Sequence, residues 1–218
     1  MIPRIEQKFN LRPCNYKFFL GWLMDHNFKM LYPERIVSSI YFDNFNLACF
    51  HDTREGITPR RKIRIRGYDS PYPFKTDRHF SFEKKFSSGI SRSKLQQVFD
   101  LREVKDCLNF GVFDQQYGFC SPLVLISYTR EYFVSDNLRV TIDRDIKYSM
   151  AADPFECIVD EEYVMEIKTS INTSLESIAN KFCFPCSRFS KYERAIEHLD
   201  DSHLMTVRHK SIFNSPIF

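Results

Sequence analysis

Several absences narrow the chain before anything in it is read. No run of about 18 apolar residues occurs in the 218, so no segment reads as a membrane-spanning helix. The opening MIPRIEQKFN has neither a basic n-region nor an apolar core, so it does not read as a secretory leader. Neither sign of charge is in excess: 31 Lys+Arg against 28 Asp+Glu leave +3, which does not argue for nucleic acid or a membrane surface. No Pro/Gly/Ser-rich linker, charge block, low-complexity tract or repeat divides the chain. One domain over residues 1–200 with a tail over 201–218 is the simplest division. The G-x-x-x-x-G-K-[ST] loop is missing, and with it a P-loop nucleotide site; so is the G-x-S-x-G elbow. The six histidines form no H-x-x-H or H-E-x-x-H spacing. Seven scattered cysteines with no leader before them are expected as reduced thiols in a cytoplasmic protein. The lone C-x-x-C at Cys183 and Cys186 lacks the second ligand pair that zinc needs and reads as packing.

What is present is aromatic and alternating. The 22 Phe and 11 Tyr suggest many short strands. The most pointed is RRKIRIRGYD, where Arg60, Lys62, Arg64 and Arg66 share one face and Ile63, Ile65 and Gly67 lie on the other with Arg61. Like charges at this spacing repel unless an anion lies between them. PRIEQKFNL, HFSFEKKFS, LRVTIDRDI and EEYVMEIKT follow the same format, VLISYTREYFV carries Arg130, and IVSSIYFDN reads as a strand too. Glu6/Lys8, Glu83/Lys85 and Glu166/Lys168 each place a carboxylate and an ammonium on one face. Helices are expected over Asn15 to His26 and Ser91 to Leu108, from Thr173 with a Thr173/Glu176 capping box, and after a Ser190/Glu193 box; a loop or short helix is expected through Thr53 to Pro59, and a turn at PYPF.

For any one strand, a solvated charged face is the ordinary explanation. Its recurrence suggests another: faces that curl together into an antiparallel barrel whose lumen the side chains line. A lumen holding Lys8, Arg64, Arg66, Lys85, Arg130 and Arg139 is costly when empty and suited to a phosphate chain, which the Arg fork and Lys point charge both bind. Carboxylates beside phosphate then call for a divalent cation. Nucleic-acid binding predicts few acids and exposed aromatics, the opposite pattern.

RIEQKF, IYFDN, RIRGY, FEKK, TREYF, RVTID, MEIK and FSKYERAI, in that order over residues 2 to about 196, resemble the landmarks of the vacuolar transporter chaperone (VTC) domain. This is the polyphosphate-polymerase branch of the triphosphate tunnel metalloenzymes, which include the CYTH proteins. The resemblance implies an α+β fold, an antiparallel β-barrel tunnel with flanking helices, and a cytoplasmic enzyme that extends polyphosphate from ATP. It carries the basic tunnel positions onto Lys8, Arg64, Arg66, Lys85, Arg130, Arg139, Arg188 and Lys191, and the metal-binding glutamate onto Glu166. Arg4-Ile5-Glu6-Gln7-Lys8 has arginine where the CYTH signature E-x-E-x-K has its first acid, which favours the VTC branch over adenylate cyclase or thiamine triphosphatase relatives. Arg188 stands where the family often has lysine.

On that reading Arg64, Arg66, Lys85, Arg130, Arg139 and Glu166 are the catalytic set. Lys8, Lys168, Arg188 and Lys191 bind substrate, with Lys85 also placed to hold the acceptor chain. The Mn²⁺ or Mg²⁺ is assigned to Glu166 with Glu6, Glu83 or Asp143. Glu6 and Glu83 serve equally well as ion-pair partners of Lys8 and Lys85, and Asp143 as a partner of Arg139. ATP and polyphosphate or pyrophosphate are the expected ligands, and a membrane-protein partner is compatible. A triphosphatase of the same fold and a non-catalytic polyphosphate sensor remain as alternatives.

Overall fold

The computed structural model describes residues 4–69, 80–89, 91–135, 138–170 and 186–201. Its strands are β1 (Arg4–Leu11), β2 (Lys29–Asp43), β3 (Arg60–Tyr68), β4 (Phe80–Ser88) and β5 (Ser91–Phe99). They continue with β6 (Val112–Asp114), β7 (Gly118–Ser135), β8 (Leu138–Met150), β9 (Cys157–Asp160) and β10 (Tyr163–Ser170). The α-helices are α1 (Tyr16–Asp25), α2 (Ala48–Glu55), α3 (Leu101–Phe110) and α4 (Lys191–Asp201). The fold is α+β, as expected. The strand order is β1-β10-β8-β7-β2-β3-β4-β5, with β6 beside β7 and β9 beside β8. It ends at β1 and at β5 with no ladder joining them among the described residues, so the hydrogen-bonded sheet is open where closure was expected.

The chain divides into two compact units: Met1–Ile36, Tyr128–Ile146 and Val159–Phe189 in the first, Val37–Ser127, Lys147–Ile158 and Ser190–Phe218 in the second. In the first, β1 pairs antiparallel with β10, and β10 with β8. Alternation sends Phe9, Leu11, Val140, Ile142, Met165 and Ile167 to one face, where Phe19 and Leu23 of α1 complete a buried cluster. The i, i+4 pair is what α1 buries; Phe18, grouped with it in the sequence, is 63% exposed. The segment entering α4 lies along β1, with Cys186 bridged to Phe9 and Ser187 N–H donating to the Lys8 carbonyl at 2.9 Å.

In the second unit β2, β3, β4 and β5 pair antiparallel in sequence order. Ile40, Phe42, Ile63, Ile65 and Phe82 share the apolar face. Arg61 and Lys84 fall on this face too, and the buried Asp114 of β6 accepts from both, at 2.9 and 3.0 Å. That is where the unmatched arginine of the basic strand finds its counter-charge.

Two expectations are corrected. Ser91 to Leu108 is not one helix: Ser91–Phe99 extends the sheet as β5, and α3 begins after it. Asp100 and Glu103 form a reciprocal capping box there, with both bonds at 2.8 Å, and this D-x-x-E signal marks the start of the helix. Gly111 ends α3 at φ +74°, where an added Cβ would stand 2.6 Å from the Cys120 carbonyl oxygen. Thr53 to Pro59, expected as a loop or short helix, holds the end of a helix that starts earlier, Ala48–Glu55, followed by loop at 56–59. The earlier start follows from the Asp43 carboxylate, which accepts the Cys49 and Phe50 N–H groups at 2.9 and 3.0 Å. At α4, Ser190 Oγ accepts from Glu193 N–H at 3.3 Å, the side-chain-to-backbone half of the expected box. The helix from Thr173 with its capping box, the PYPF turn, Cys183 and residues 202–218 lie outside the described residues.

Candidate functional site

Strand register gathers the charged residues into rows, and each unit holds its own set. In the second unit Tyr41, Arg64, Glu83 and Gln96 stand directly across from one another on β2, β3, β4 and β5. Ser39, Arg66 and Ser81 form the row on one side; Lys62, Lys85 and Lys94 form the row on the other. Arg64 and Arg66 are only 6% and 8% exposed, so the bland reading of a solvated strand face does not describe them.

Arg64 is fixed from both flanks. Its Nε and Nη2 donate to Glu83 Oε2, the former at 2.7 Å, and its Nη1 donates to Tyr41 Oη at 2.8 Å. Lys94 Nζ donates to the other Glu83 oxygen at 2.6 Å. Burial by itself would raise the Glu83 carboxyl, but Arg64, Arg66 and Lys94 outweigh it and bring its pKa down to about 2. Arg66 Nε donates to Ser39 Oγ at 3.1 Å, and Lys62 Nζ to Ser190 Oγ at 2.8 Å. Tyr41 stacks on Tyr192, ring centroids 4.9 Å apart, and Tyr192 donates its hydroxyl to Asp43. Burial opposes ionisation of Tyr41 as well, yet Arg64, Arg66 and Lys62 lower its pKa to about 8. Lys85 is exposed in its row, and Lys191 occupies the first position of α4.

The first unit carries the acids. Lys8 lies across from Glu166, and Glu166 across from Thr141; Glu6, Lys168 and Arg139 make the adjacent row. Lys168 Nζ donates to Glu166 Oε1 at 2.7 Å, while Lys8 Nζ donates to the Phe189 carbonyl at 2.9 Å. The Glu6 carboxyl comes within hydrogen-bonding reach of Glu166. Burial would raise the Glu166 carboxyl; Lys168, Lys8 and Arg130 overcome that and hold it well below the usual carboxylate range. Asp143 takes a two-point bond from Arg130, Nε to Oδ1 at 2.5 Å and Nη2 to Oδ2 at 2.7 Å. Its ion pair is therefore with Arg130, not with Arg139 as the sequence suggested. Arg130 also lies 5.2 Å over the Tyr128 ring. Arg139 and Arg188 are exposed.

The E-x-K pairs are thus only partly what they looked like. Glu166 and Lys168 do bond along their strand, whereas Glu83 takes its cations from β3 and β5. Tyr41 and Lys94 escaped the sequence reading, since what joins them to the charged residues is cross-strand register. Alternation alone puts Thr141 on the face of Arg139 and Asp143, and register sets it across from Glu166. Among the described residues no group of three or more His, Cys, Asp or Glu side chains could hold a metal ion. The acids here come paired with bases.

A family model of the VTC domain matches residues 3–200. The chain belongs to the VTC domain family. No match is found among curated proteins. Solved structures similar to this VTC domain include a candidate adenylate cyclase of Bacillus halodurans, 13% identical over 86% of this chain and 93% of that one, TM-score 0.58. A Pyrococcus horikoshii protein is 16% identical over 90% and 99% of the two chains, TM-score 0.56. A candidate adenylate cyclase of Vibrio parahaemolyticus is 13% identical over 89% and 97%, TM-score 0.55. At these identities the likeness is one of fold, and that fold is the CYTH-like triphosphate tunnel type. Family and fold together give this VTC domain a triphosphate-related function.

Proposed function

We propose that this VTC domain is an ATP-dependent polyphosphate polymerase that uses Mn²⁺ or Mg²⁺. The observation that supports it most is the burial of Arg64 and Arg66 beside one another on a face already furnished with Lys62, Lys85 and Lys94. Phosphoryl transfer asks for positioning and charge neutralisation more than for covalent chemistry. In the proposal Arg64 and Arg66 neutralise oxygens of the transferring phosphoryl group, and Lys85 and Lys191 hold the acceptor chain. Glu83, with both oxygens engaged by Arg64 and Lys94, acts as the anchor that aims them. Arg130, anchored by Asp143 in the same way, and Arg139 serve the phosphates on the first unit, with Lys8, Lys168 and Arg188.

The donor set fits a divalent cation. Glu6 and Glu166 stand within hydrogen-bonding reach, an arrangement of two carboxylates that a shared proton or cation favours, and Glu166 keeps its charge. Glu166 with Glu6 would hold the metal, which would neutralise charge on phosphate oxygens. Arg130 and Lys168 orient Glu166, and the terminal phosphate of the acceptor displaces ADP in line. Supply of ATP suits a cytoplasmic site. No helix of the described residues is long and apolar enough to cross a membrane, and a membrane-protein partner that draws the polymer away is compatible with the proposal.

The test is incubation of the purified protein with ATP and Mn²⁺ or Mg²⁺, with products run on a gel stained for polyphosphate and free phosphate measured in parallel. Long chains support the polymerase. Phosphate without chains replaces it with a triphosphatase, and neither product with a sensor. Arg66→Ala, which leaves the Arg64–Glu83 pair in place, is expected to abolish chain formation with the fold retained; unchanged activity removes this face from the mechanism.

A further inference from the structure

Thr141 sits at the centre of the first unit's charged face, across from Glu166 and between Arg139 and Asp143 along β8. It is 5% exposed, and its hydroxyl oxygen has no hydrogen-bond partner among the described residues. A buried hydroxyl left this way costs about 1–3 kcal/mol. The nearest carboxylates serve cations instead: both Asp143 oxygens accept from Arg130 and Glu166 Oε1 accepts from Lys168, and none of these oxygens accepts from the Thr141 hydroxyl. Valine would fill the same space on a strand at no such cost, so the hydroxyl needs a reason to be there.

The row around it narrows the choice of ligand. Lys168 on β10 and Arg130 on β7 flank Thr141's strand, Arg139 shares that strand and Lys8 lies beyond β10 on β1, four cationic side chains against the carboxylates of Glu6, Glu166 and Asp143. An oxyanion held by those cations offers lone pairs only, and a hydroxyl supplies the proton they accept. We infer that Thr141 donates its hydroxyl to a phosphate oxygen of the bound chain, as a binding residue of the first unit. This deepens the proposed function and rests on its premise that the charged faces bind a triphosphate or polyphosphate.

Calorimetric titration of the full chain with tripolyphosphate, once in EDTA and once in Mg²⁺, tests it. Thr141→Val is expected to weaken binding about tenfold or more in both buffers, the loss of one hydrogen bond to a charged group. Thr141→Ser, which restores the donor, is expected to bind like the parent. The ligand-free Thr141→Val protein should melt no lower than the parent, because the substitution removes an unsatisfied group. Should Thr141→Val not fold, Thr141→Ala in the same titration must show the same loss. Parental affinity in the variant overturns the inference while leaving the proposed function standing. A loss confined to Mg²⁺ also overturns it, since the hydroxyl would then act through the metal. If the parent itself binds no tripolyphosphate in either buffer, the proposed function fails and this inference falls with it.

Discussion

Glu83 on β4 holds Arg64 from the position directly opposite it on β3, the guanidinium Nε 2.7 Å from Oε2. Both side chains are nearly excluded from solvent, and Lys94 closes the other carboxylate oxygen from β5. A buried ion pair of this kind contributes little over an apolar pair, but removal of one member leaves the other uncompensated. Its value here is geometric: it holds a guanidinium on a surface crowded with like charge.

Glu83→Gln should therefore cost about 3–5 kcal/mol of stability, read from denaturant unfolding at neutral pH. The same pair gives an acid limb. A carboxyl with its folded pKa brought down to about 2 adds stability that is full above the ordinary carboxylate range and is lost as pH falls toward 2. The variant should show a shallower decline of stability over that window. An acid unfolding profile that superimposes on the parent's would contradict the pairing.

Tyr41 should ionise early. With its pKa near 8, one tyrosinate band is expected to titrate there and to vanish in Tyr41→Phe. The unfolded chain keeps that proton up to the usual range near 10, so this group makes the fold more stable as pH rises from 8 to 10. Tripolyphosphate, by screening Arg64, Arg66 and Lys62, should push the transition upward. A midpoint that ignores the ligand would mean that the anion does not reach this face.

Glu166→Gln separates metal from phosphate. Loss of metal-dependent turnover is expected, with tripolyphosphate binding in EDTA retained or strengthened, because Lys168 and Lys8 are freed from a carboxylate they now neutralise. Retained metal-dependent turnover would reassign the ligand.

Tyr192→Phe tests the hydroxyl of a buried α4 ring that also stacks on Tyr41. Its hydroxyl bonds Asp43, which in turn holds the start of α2. A cost of about 1.5–3 kcal/mol is expected for a hydrogen bond to a charged group, measured by chemical denaturation. Wild-type stability in the variant would return Tyr192 to a packing role alone.

Much of this was legible beforehand. The alternation in RRKIRIRGY marked a strand with one basic face, and its structure has Lys62, Arg64 and Arg66 on that face with Ile63 and Ile65 behind. The segment Ser91 to Leu108 misled, because Leu95 and Val98 stand three apart as on a helix; pairing with β4 overrode that local period. Asp100 and Glu103 show where the true helix begins.

The amino-acid order by itself determined which side of each strand is charged, because successive side chains must point opposite ways whatever the strand packs against. It also spelled the landmarks by which the family is found. Only tertiary structure decided who pairs with whom. Arg64 meets Glu83 and Tyr41, Arg130 meets Asp143, Arg61 meets Asp114, and the Thr141 hydroxyl has no hydrogen-bond partner among the described residues. Charge partners of this sort come from strands distant in the chain, and their choice is made by ladder register, which a single strand read alone does not contain.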